Sequence, residues 1–351
     1  MSWAARAERL GMAHLLDALP SVRIVAAVAI SERSRLTDFL DSSEPVIVKG
    51  LIEHWPALAA GRQSFASLCD YLQPLDRGIP AAVMETPAGA QGRFGYQEDL
   101  REYTFSVRNV PVRDSLQRMR SSLARDSGSV IAVQMLPLAT HMPEFSRQNP
   151  MPLLPQVEPR LWIGGRVRTQ IHHDRDHNLA CVIAGRRRFV LFPPEQLQNL
   201  YVGPIDNPPP LSVVDLDAPD FERFPRFETA LSSASIARLD SGDALLMPRH
   251  WWHHVTSLDP MNAMINYWWG EQKEGLGAPY ECFLAALLAF KELPEAERRY
   301  WRVMFDSHVF GSPGEVMAHI PAELRGVLGK LDATMRANLA RKLKAGLLRM
   351  M

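Results

Sequence analysis

Short apolar runs separated by turn-forming residues dominate the middle of the chain. Between Leu161 and Trp269, runs rich in β-branched and aromatic side chains recur, and Pro, Gly, Asp or Asn interrupt them. Regularly spaced short strands with turn signals predict a sandwich or barrel of the jelly-roll kind. The predicted strands cover 161–163, 168–173, 179–183, 187–192, 235–239, 244–247, 253–257 and 262–269.

The pattern before this region predicts a mixture of strands and helices, and the proline-rich stretch 137–160 predicts loops and short turns. A second proline-rich and acidic stretch, 203–228, predicts a long connecting loop that could serve as a lid or substrate-binding edge. The other predicted elements are helices at 31–40, 64–72 and 112–125 and strands at 44–50 and 130–136.

From about residue 277 onward the spacing of apolar residues becomes helical. The helices are predicted at 279–291, 294–307, 313–318, 321–329 and 331–349. The last of them carries an apolar face formed by Leu331, Met335, Leu339, Leu343 and Leu347. We therefore predict a mainly β fold of the α+β class, in which a domain at 1–276 has a jelly-roll core at about 130–270 and N-terminal α/β elements. A helical region at 277–351 follows it.

Composition and charge exclude several classes of protein. The 351 residues include 39 Lys+Arg and 39 Asp+Glu, and 46% of the chain is apolar. Extensive disorder is not expected at this apolar content, and a neutral chain lacks the basic excess of a typical nucleic-acid-binding protein. We therefore expect a globular protein that does not depend on nucleic acid as a partner.

The cysteines and the N-terminal residues bear on the cellular compartment. The three cysteines stand far apart and form no CxxC motif, so neither a disulfide framework nor a zinc knuckle is expected. The first residues contain no signal-peptide core, and the apolar run Ile24–Ile30 is too short to span a bilayer. We expect a cytoplasmic protein with no membrane partner.

Two short stretches concentrate the residues that are able to bind a metal. Thr169–Asn178 and Pro248–His254 hold six of the eleven histidines. His172 and Asp174 share a face if they lie on one strand, and a second strand would add His253 or His254. Two histidines and one carboxylate form the facial triad of non-haem Fe(II) oxygenases, whereas zinc favours closed four-coordinate sites.

Simpler interpretations exist for most of the neighbouring residues. An HxD pair on its own often arises by chance, and His173 and His177 are explained as surface residues or residues supporting the ligands. Trp251, Trp252, Trp268 and Trp269 are explained as core aromatics. Arg186 and Arg188 are assigned to a solvated face, and His54 to a turn that packs beside Trp55.

Several ordered stretches together resemble a known family. The chain resembles the cupin-like, jumonji-C-type Fe(II)/2-oxoglutarate oxygenases over about 45–270, and most closely the branch that contains the asparaginyl hydroxylase factor inhibiting hypoxia-inducible factor. The resemblance implies a double-stranded β-helix with iron at its open end, bound by His172, Asp174 and His253. His253 is preferred to His254 because the ligand in this family directly follows the Trp-Trp pair. The matching stretches are 169–178, 188–194, 214–225, 242–243, 248–254 and 266–268.

The resemblance also implies a 2-oxoglutarate pocket, with two departures from the family. Thr169 would hydrogen-bond the far carboxylate, and Asn178 and Asn266 would line the pocket. The family's lysine is replaced by Arg187, which can also pair with a carboxylate, and its tyrosine by Ala132. The two changes either compensate for one another or signal an altered or lost co-substrate.

The implied reaction uses Fe(II), 2-oxoglutarate and O2 to hydroxylate a C–H bond and releases succinate and CO2. The expected substrate is a protein or peptide side chain, and Gln134 resembles a substrate-facing glutamine. The alternatives are a hydroxylase of a small molecule or nucleotide and a non-catalytic cupin that binds metal or ligand. The resemblance further implies a homodimer formed through the helices of 277–351.

Overall fold

The computed structural model describes residues 2–26, 43–97, 99–123, 128–205, 210–270, 279–312 and 317–348. The chain divides into two compact units, Met1–Gly270 and Glu271–Met351. The helix predicted at 31–40 lies outside the described residues, as does most of the one predicted at 313–318.

The first unit is built on two β-sheets. Its strands in chain order, β1 to β14, are Arg23–Ala26, Val46–Lys49, Pro80–Thr86, Arg93–Phe94, Ser106–Pro111, Val130–Pro137, Pro159–Gly164, Arg168–His173, His177–Ala184, Arg187–Phe192, Ser235–Leu239, Ala244–Met247, Trp252–Ser257 and Asn262–Trp269. The large sheet has the order β1-β2-β12-β9-β14-β7-β6-β3-β5, and the small sheet has the order β11-β10-β13-β8-β4. Antiparallel pairing dominates both sheets, as in a jelly roll.

A buried apolar core joins the inner faces of the two sheets. Phe189 and Leu191 of the small sheet pack with Val182, Leu245 and Met264 of the large sheet. Because side chains alternate along a strand, every second residue of these runs enters this core. All eight strands predicted between Leu161 and Trp269 are present, with ends displaced by at most two residues.

Helices cover the outer faces of both sheets. Leu58, Leu68 and Leu116 pack from three helices onto the large sheet, and Leu16 and Leu231 pack from two others onto the small sheet. The helices of this unit are Trp3–Leu10, Met12–Asp17, Pro56–Gln63, Phe65–Leu72, Val112–Leu123, Leu138–His141, Pro143–Gln148 and Phe227–Ser232. Of these, the pattern predicted only Phe65–Leu72 and Val112–Leu123, and it missed the first two helices, Pro56–Gln63, the two short helices within 137–160 and Phe227–Ser232.

The second unit is helical. Its longer helices are Pro279–Phe290, Glu295–Phe305 and Ala333–Leu348. Phe290 joins the first two, because its ring lies 5.1 Å from that of Trp301 and 5.6 Å from that of Phe305. The prediction of a continuous helix at 321–329 is wrong, because two short 3₁₀ helices, Ala322–Leu324 and Gly326–Leu328, take its place. Gly326 has a left-handed backbone at φ +53°, which interrupts the helix after the first of them, and Gly329 follows the second.

Within the described ranges, no helix has both the length and the apolar character needed to cross a membrane.

Candidate metal centre

A β-bulge in β8 determines which side chains face the inside of the barrel. His172 pairs with His253 of β13 and Thr169 pairs with Val255, so three steps along β8 match two along β13. Residues directly opposite one another share a face, and the extra residue therefore turns both Thr169 and His172 inward despite their odd spacing.

Three side chains converge where β8 ends and β13 begins. One ligand atom from each of His172, Asp174 and His253 lies within 4.8 Å of the others. The two imidazole rings are 4.2 Å apart, and His253 Nε2 lies 3.8 Å from Asp174 Oδ2. Asp174 comes directly after the last residue of β8, so the carboxylate reaches the site from the end of the strand.

Two backbone carbonyls orient the histidine rings. The carbonyl oxygen of Gln170 lies 2.8 Å from His172 Nδ1, and that of Trp251 lies 3.1 Å from His253 Nδ1. A carbonyl only accepts hydrogen bonds, so each Nδ1 carries the proton and each Nε2 keeps its lone pair for a metal. The sequence could not identify these acceptors, because they depend on the local path of the backbone.

The carboxylate of Asp174 is held by a chain of buried amides. Asn178 donates to Asp174 Oδ2 at 3.1 Å, and Asn266 donates to Asn178 Oδ1 at 2.8 Å. The two asparagines implied by the resemblance thus lie beside the triad, where they fix the carboxylate. The backbone N–H of His250, whose φ is +70°, donates to the carbonyl of Asp174.

Burial favours a neutral imidazole at His253. Desolvation, with a smaller contribution from His172, lowers the pKa of His253 to about 4. His254 points to the opposite face of the sheet, where it lies beside Asp217 and Arg168. The structure therefore brings His253, and not His254, to His172 and Asp174.

A pocket lies next to the triad along the inner faces of β8 and β13, and its lining includes Gln134, Thr169, Arg187 and Ala132. Arg187 is buried, and its guanidinium makes no ion pair or side-chain hydrogen bond with any other part of the chain that the structure describes. Burial alone lowers the pKa of Arg187 to about 10. An uncompensated buried cation is unfavourable, so the pocket is suited to a carboxylate.

A second bulge positions the predicted substrate-facing glutamine. Val133 of β6 pairs with Ile163 and Leu136 pairs with Leu161, which leaves an extra residue on β6. Gln134 lies in this bulge and faces the pocket. Its neighbour Met135 is 47% exposed and adopts a left-handed backbone at φ +57°, a conformation that recurs at functional sites.

Two of the simpler interpretations need correction, and others agree with the structure. Arg188 does not lie on a solvated face: its side chain is 11% exposed and lies 3.7 Å from Asp217, because strand alternation turns it under the 203–228 segment. Trp268 is only half-buried and packs edge-on against Trp162 at 5.9 Å. Arg186 is exposed as expected and pairs with Asp259. His54 packs edge-on beside Trp55.

The chain matches the cupin-like domain family over residues 32–275. It is 38% identical over 103 residues to lysine-specific demethylase JMJ31 of Arabidopsis thaliana, covering 29% of this chain and 19% of that protein. It is 35% identical over 150 residues to human HSPB1-associated protein 1, covering 41% and 30%. Lysine-specific demethylase 8 of Danio rerio is 26% identical over 247 residues, covering 68% and 56%. The matches thus span between about a fifth and somewhat over half of these relatives' length.

Proposed function

Because the chain belongs to the cupin-like domain family, we propose that it is an Fe(II)- and 2-oxoglutarate-dependent oxygenase of the jumonji-C type that hydroxylates a protein or peptide side chain. The observation that carries the proposal is the convergence of His172, Asp174 and His253 within 4.8 Å. Two imidazoles and one carboxylate match the donor set of non-haem Fe(II) oxygenases, which leaves coordination positions for co-substrates.

The residues of the chain would hold the metal in a fixed orientation. His172 and His253 would bind through Nε2, because their Nδ1 atoms donate to backbone carbonyls. Asp174 would bind through its carboxylate, whose position is fixed by Asn178. When bound, Fe(II) with 2-oxoglutarate and O2 supplies the oxidising chemistry that adds one oxygen atom to a C–H bond and releases succinate and CO2.

The pocket beside the triad fits 2-oxoglutarate by charge and by position. His253, Val255 and Ser257 follow one another on the inner face of β13, so the pocket begins one inward residue beyond the metal ligand. The buried, unpaired guanidinium of Arg187 lies at its far end and would bind a carboxylate. Thr169 lines the same pocket and would add a hydroxyl.

The surroundings of the site favour a side chain of a protein or peptide as the substrate. Met135 is exposed on the bulge next to Gln134, and Trp162 and Trp268 form a half-buried aromatic wall. The guanidinium of Arg160 lies 5.5 Å from the Trp268 ring and borders this wall. An exposed apolar residue beside an aromatic wall is suited to an extended chain that presents one side chain to the metal.

A demethylase is the second candidate, because two of the similar proteins are named lysine-specific demethylases. Hydroxylation of an N-methyl carbon would give an unstable product that loses the methyl group, so the same residues support both outcomes. Hydroxylation of a small molecule or nucleotide, and a non-catalytic cupin, remain the alternatives. The assignment to the asparaginyl hydroxylase branch, the boundary at residue 276, the homodimer and the cytoplasmic location stay predictions.

The proposal is tested by incubating the purified chain with Fe(II), ascorbate and 2-oxoglutarate and measuring succinate. We expect Fe(II)-dependent succinate in the wild type and none in Asp174→Ala. A peptide array analysed by mass spectrometry then separates the two candidates, because hydroxylation adds one oxygen atom and demethylation removes one methylene unit. Equal succinate with and without Fe(II), or in both proteins, would contradict the proposal.

A further inference from the structure

Three buried hydrogen-bond donors without partners line the pocket beside the triad. They are the Nε of Arg187, the Oγ of Ser257 and the Nε1 of Trp162, none of which has a partner among the described residues. Arg187 and Ser257 are register partners on adjacent strands, so their side chains lie side by side on the same face of the small sheet. Trp162 reaches the pocket from the large sheet.

Donors in such positions normally find a partner. Buried polar groups in folded proteins are hydrogen-bonded with few exceptions, and three exceptions in one pocket point to a missing acceptor. The neighbouring Arg188 differs in charge compensation: it points to the other face of the small sheet and forms an ion pair with Asp217 at 3.7 Å, although its Nε also has no hydrogen-bond partner among the described residues. Arg187 faces the inside and has no such carboxylate among the described residues, so the pocket offers a positive charge and several donors at once.

The donors of this pocket differ from the lysine and tyrosine that the resemblance implies. Ala132 occupies the position that corresponds to the tyrosine, and it packs against Phe94 of β4 and Val167. A phenol hydroxyl is therefore absent on that side of the pocket. The hydroxyl of Ser257 belongs to the small sheet, on the opposite side of the pocket from Ala132. Ser257 is the register partner of Arg187 on the adjacent strand.

We propose that Arg187, Ser257 and Trp162 form a socket that binds the distal carboxylate of the co-substrate, with Ser257 and Trp162 replacing the family's tyrosine. This inference rests on the proposed function and specifies how the same site selects a dicarboxylate. The planar guanidinium binds both carboxylate oxygens, and the hydroxyl and indole N–H groups use the remaining lone pairs. A 2-oxo acid without the distal carboxylate leaves all three donors unpaired, so the site binds it more weakly.

The socket is tested by equilibrium binding with the full chain loaded with Fe(II) under anaerobic conditions. Calorimetry measures the affinity for 2-oxoglutarate and for 2-oxopentanoate, which has the same carbon chain but no distal carboxylate. We expect 2-oxopentanoate to bind at least about tenfold more weakly, because it loses charge-assisted hydrogen bonds. Arg187→Met should bring the affinity for 2-oxoglutarate close to that for 2-oxopentanoate.

Two further variants address the newly assigned donors, and a third is a control. Ser257→Ala and Trp162→Phe should each weaken 2-oxoglutarate binding by about tenfold while leaving 2-oxopentanoate binding unchanged. Arg186→Met removes an adjacent arginine that pairs with Asp259 at the surface, and it should retain wild-type affinity. Without ligand, Arg187→Met should melt at or above the wild-type temperature, because it removes an uncompensated buried charge.

The outcomes separate the socket from the proposed function. Wild-type affinity for 2-oxoglutarate in Arg187→Met, or in both Ser257→Ala and Trp162→Phe, would overturn the socket while leaving the oxygenase proposal intact. Equal binding of the two 2-oxo acids by the wild type would overturn it as well. Failure of the Fe(II)-loaded wild type to bind 2-oxoglutarate at all would refute both.

Discussion

At the candidate metal centre, hydrogen bonds to backbone carbonyls, and not to side chains, determine which ring nitrogen of each histidine is free to bind a metal. The carbonyls of Gln170 and Trp251 hold the Nδ1 protons of His172 and His253. This arrangement needs no acidic partner residue, so its strength depends on the backbone of β8 and β13. Substitutions at 170 or 251 that keep the backbone in place should therefore affect the metal less than substitutions of the ligands themselves.

Removal of a triad side chain should abolish binding of Fe(II). We expect one Fe(II) per chain in the wild type, measured by anaerobic titration, and none in His172→Ala or Asp174→Ala, because two ligands cannot hold the ion at micromolar concentration. His173→Ala is the matched control, since its ring packs against Trp252 outside the triad. Unchanged stoichiometry in both triad variants would show that the ligands are wrongly assigned.

The amide chain behind Asp174 should tune metal affinity without being essential to it. Asn178→Ala removes the hydrogen bond at 3.1 Å that fixes the carboxylate. Loss of such an outer partner typically weakens metal binding by about 10–100-fold, and we expect that range for the dissociation constant of Fe(II). Asn199→Ala, which loses only a local contact with Gln196, should not change it. Wild-type affinity in Asn178→Ala would show that Asp174 is held by its backbone alone.

The sequence was informative about single residues where chemistry and spacing coincide. His172 and Asp174 could be predicted because their HxD pair stands in an ordered series of stretches that resemble one family, and His253 because it follows the Trp-Trp pair of that series. Ser257 and Trp162 could not be found, since neither residue type indicates a carboxylate site. Their role emerges only from the register that sets Ser257 opposite Arg187.

At the scale of elements, periodicity predicted the strands but not their irregularities. Buried strands are bounded by turn residues, and that contrast survives in the sequence. The bulges in β8 and β6 leave no such mark, because an extra residue disturbs pairing without changing composition. The short helices Leu138–His141 and Pro143–Gln148 were missed because each is too brief to show a helical period.

One glycine allows a helix to approach the large sheet closely. A Cβ added at Gly61 would lie 1.9 Å from the carbonyl oxygen of Ile183 on β9. We expect Gly61→Ala to lower the free energy of unfolding by about 1–3 kcal/mol, because helix Pro56–Gln63 must move away from the strand. Urea denaturation followed by circular dichroism measures the change.

Gly89 provides the control for this prediction. A Cβ at Gly89 would meet nothing within 4 Å, and its φ is not in the left-handed region. Gly89→Ala should therefore leave the free energy of unfolding within about 0.5 kcal/mol of the wild type. Equal effects of the two substitutions would mean that the helix adjusts freely to the added methyl group.

At the scale of the whole molecule, the helical unit carries several large apolar side chains that are exposed to solvent. Leu288 is 68% exposed and Phe310 is 75% exposed, and Phe283, Val303 and Val309 are also accessible. Large exposed apolar patches commonly mark interaction sites. The resemblance implied that the occupant is a second copy of the chain, and the dimer therefore remains our prediction for this surface.

Charged substitutions on this surface should dissociate the dimer without unfolding the protein. Light scattering should give twice the chain mass for the wild type and the chain mass for the double variant Leu288→Asp/Phe310→Asp, because both side chains are already exposed. Leu197→Asp, at a 52% exposed leucine of the first unit, should stay dimeric. A monomeric wild type would reject the prediction.

The extra residue in β8 has a consequence for how this protein can vary between species. Thr169 and His172 are three residues apart, so regular pairing of the present sequence would turn them to opposite sides of the sheet. Loss of the bulge without loss of a residue would therefore be equivalent to loss of a ligand, even though every ligand is still encoded. Deletion of Gln170 or Ile171 would remove the bulge and leave the two residues two positions apart, on the same face. In homologues with the same centre, these two residues should therefore be three apart where the strand carries the bulge and two apart where it is regular.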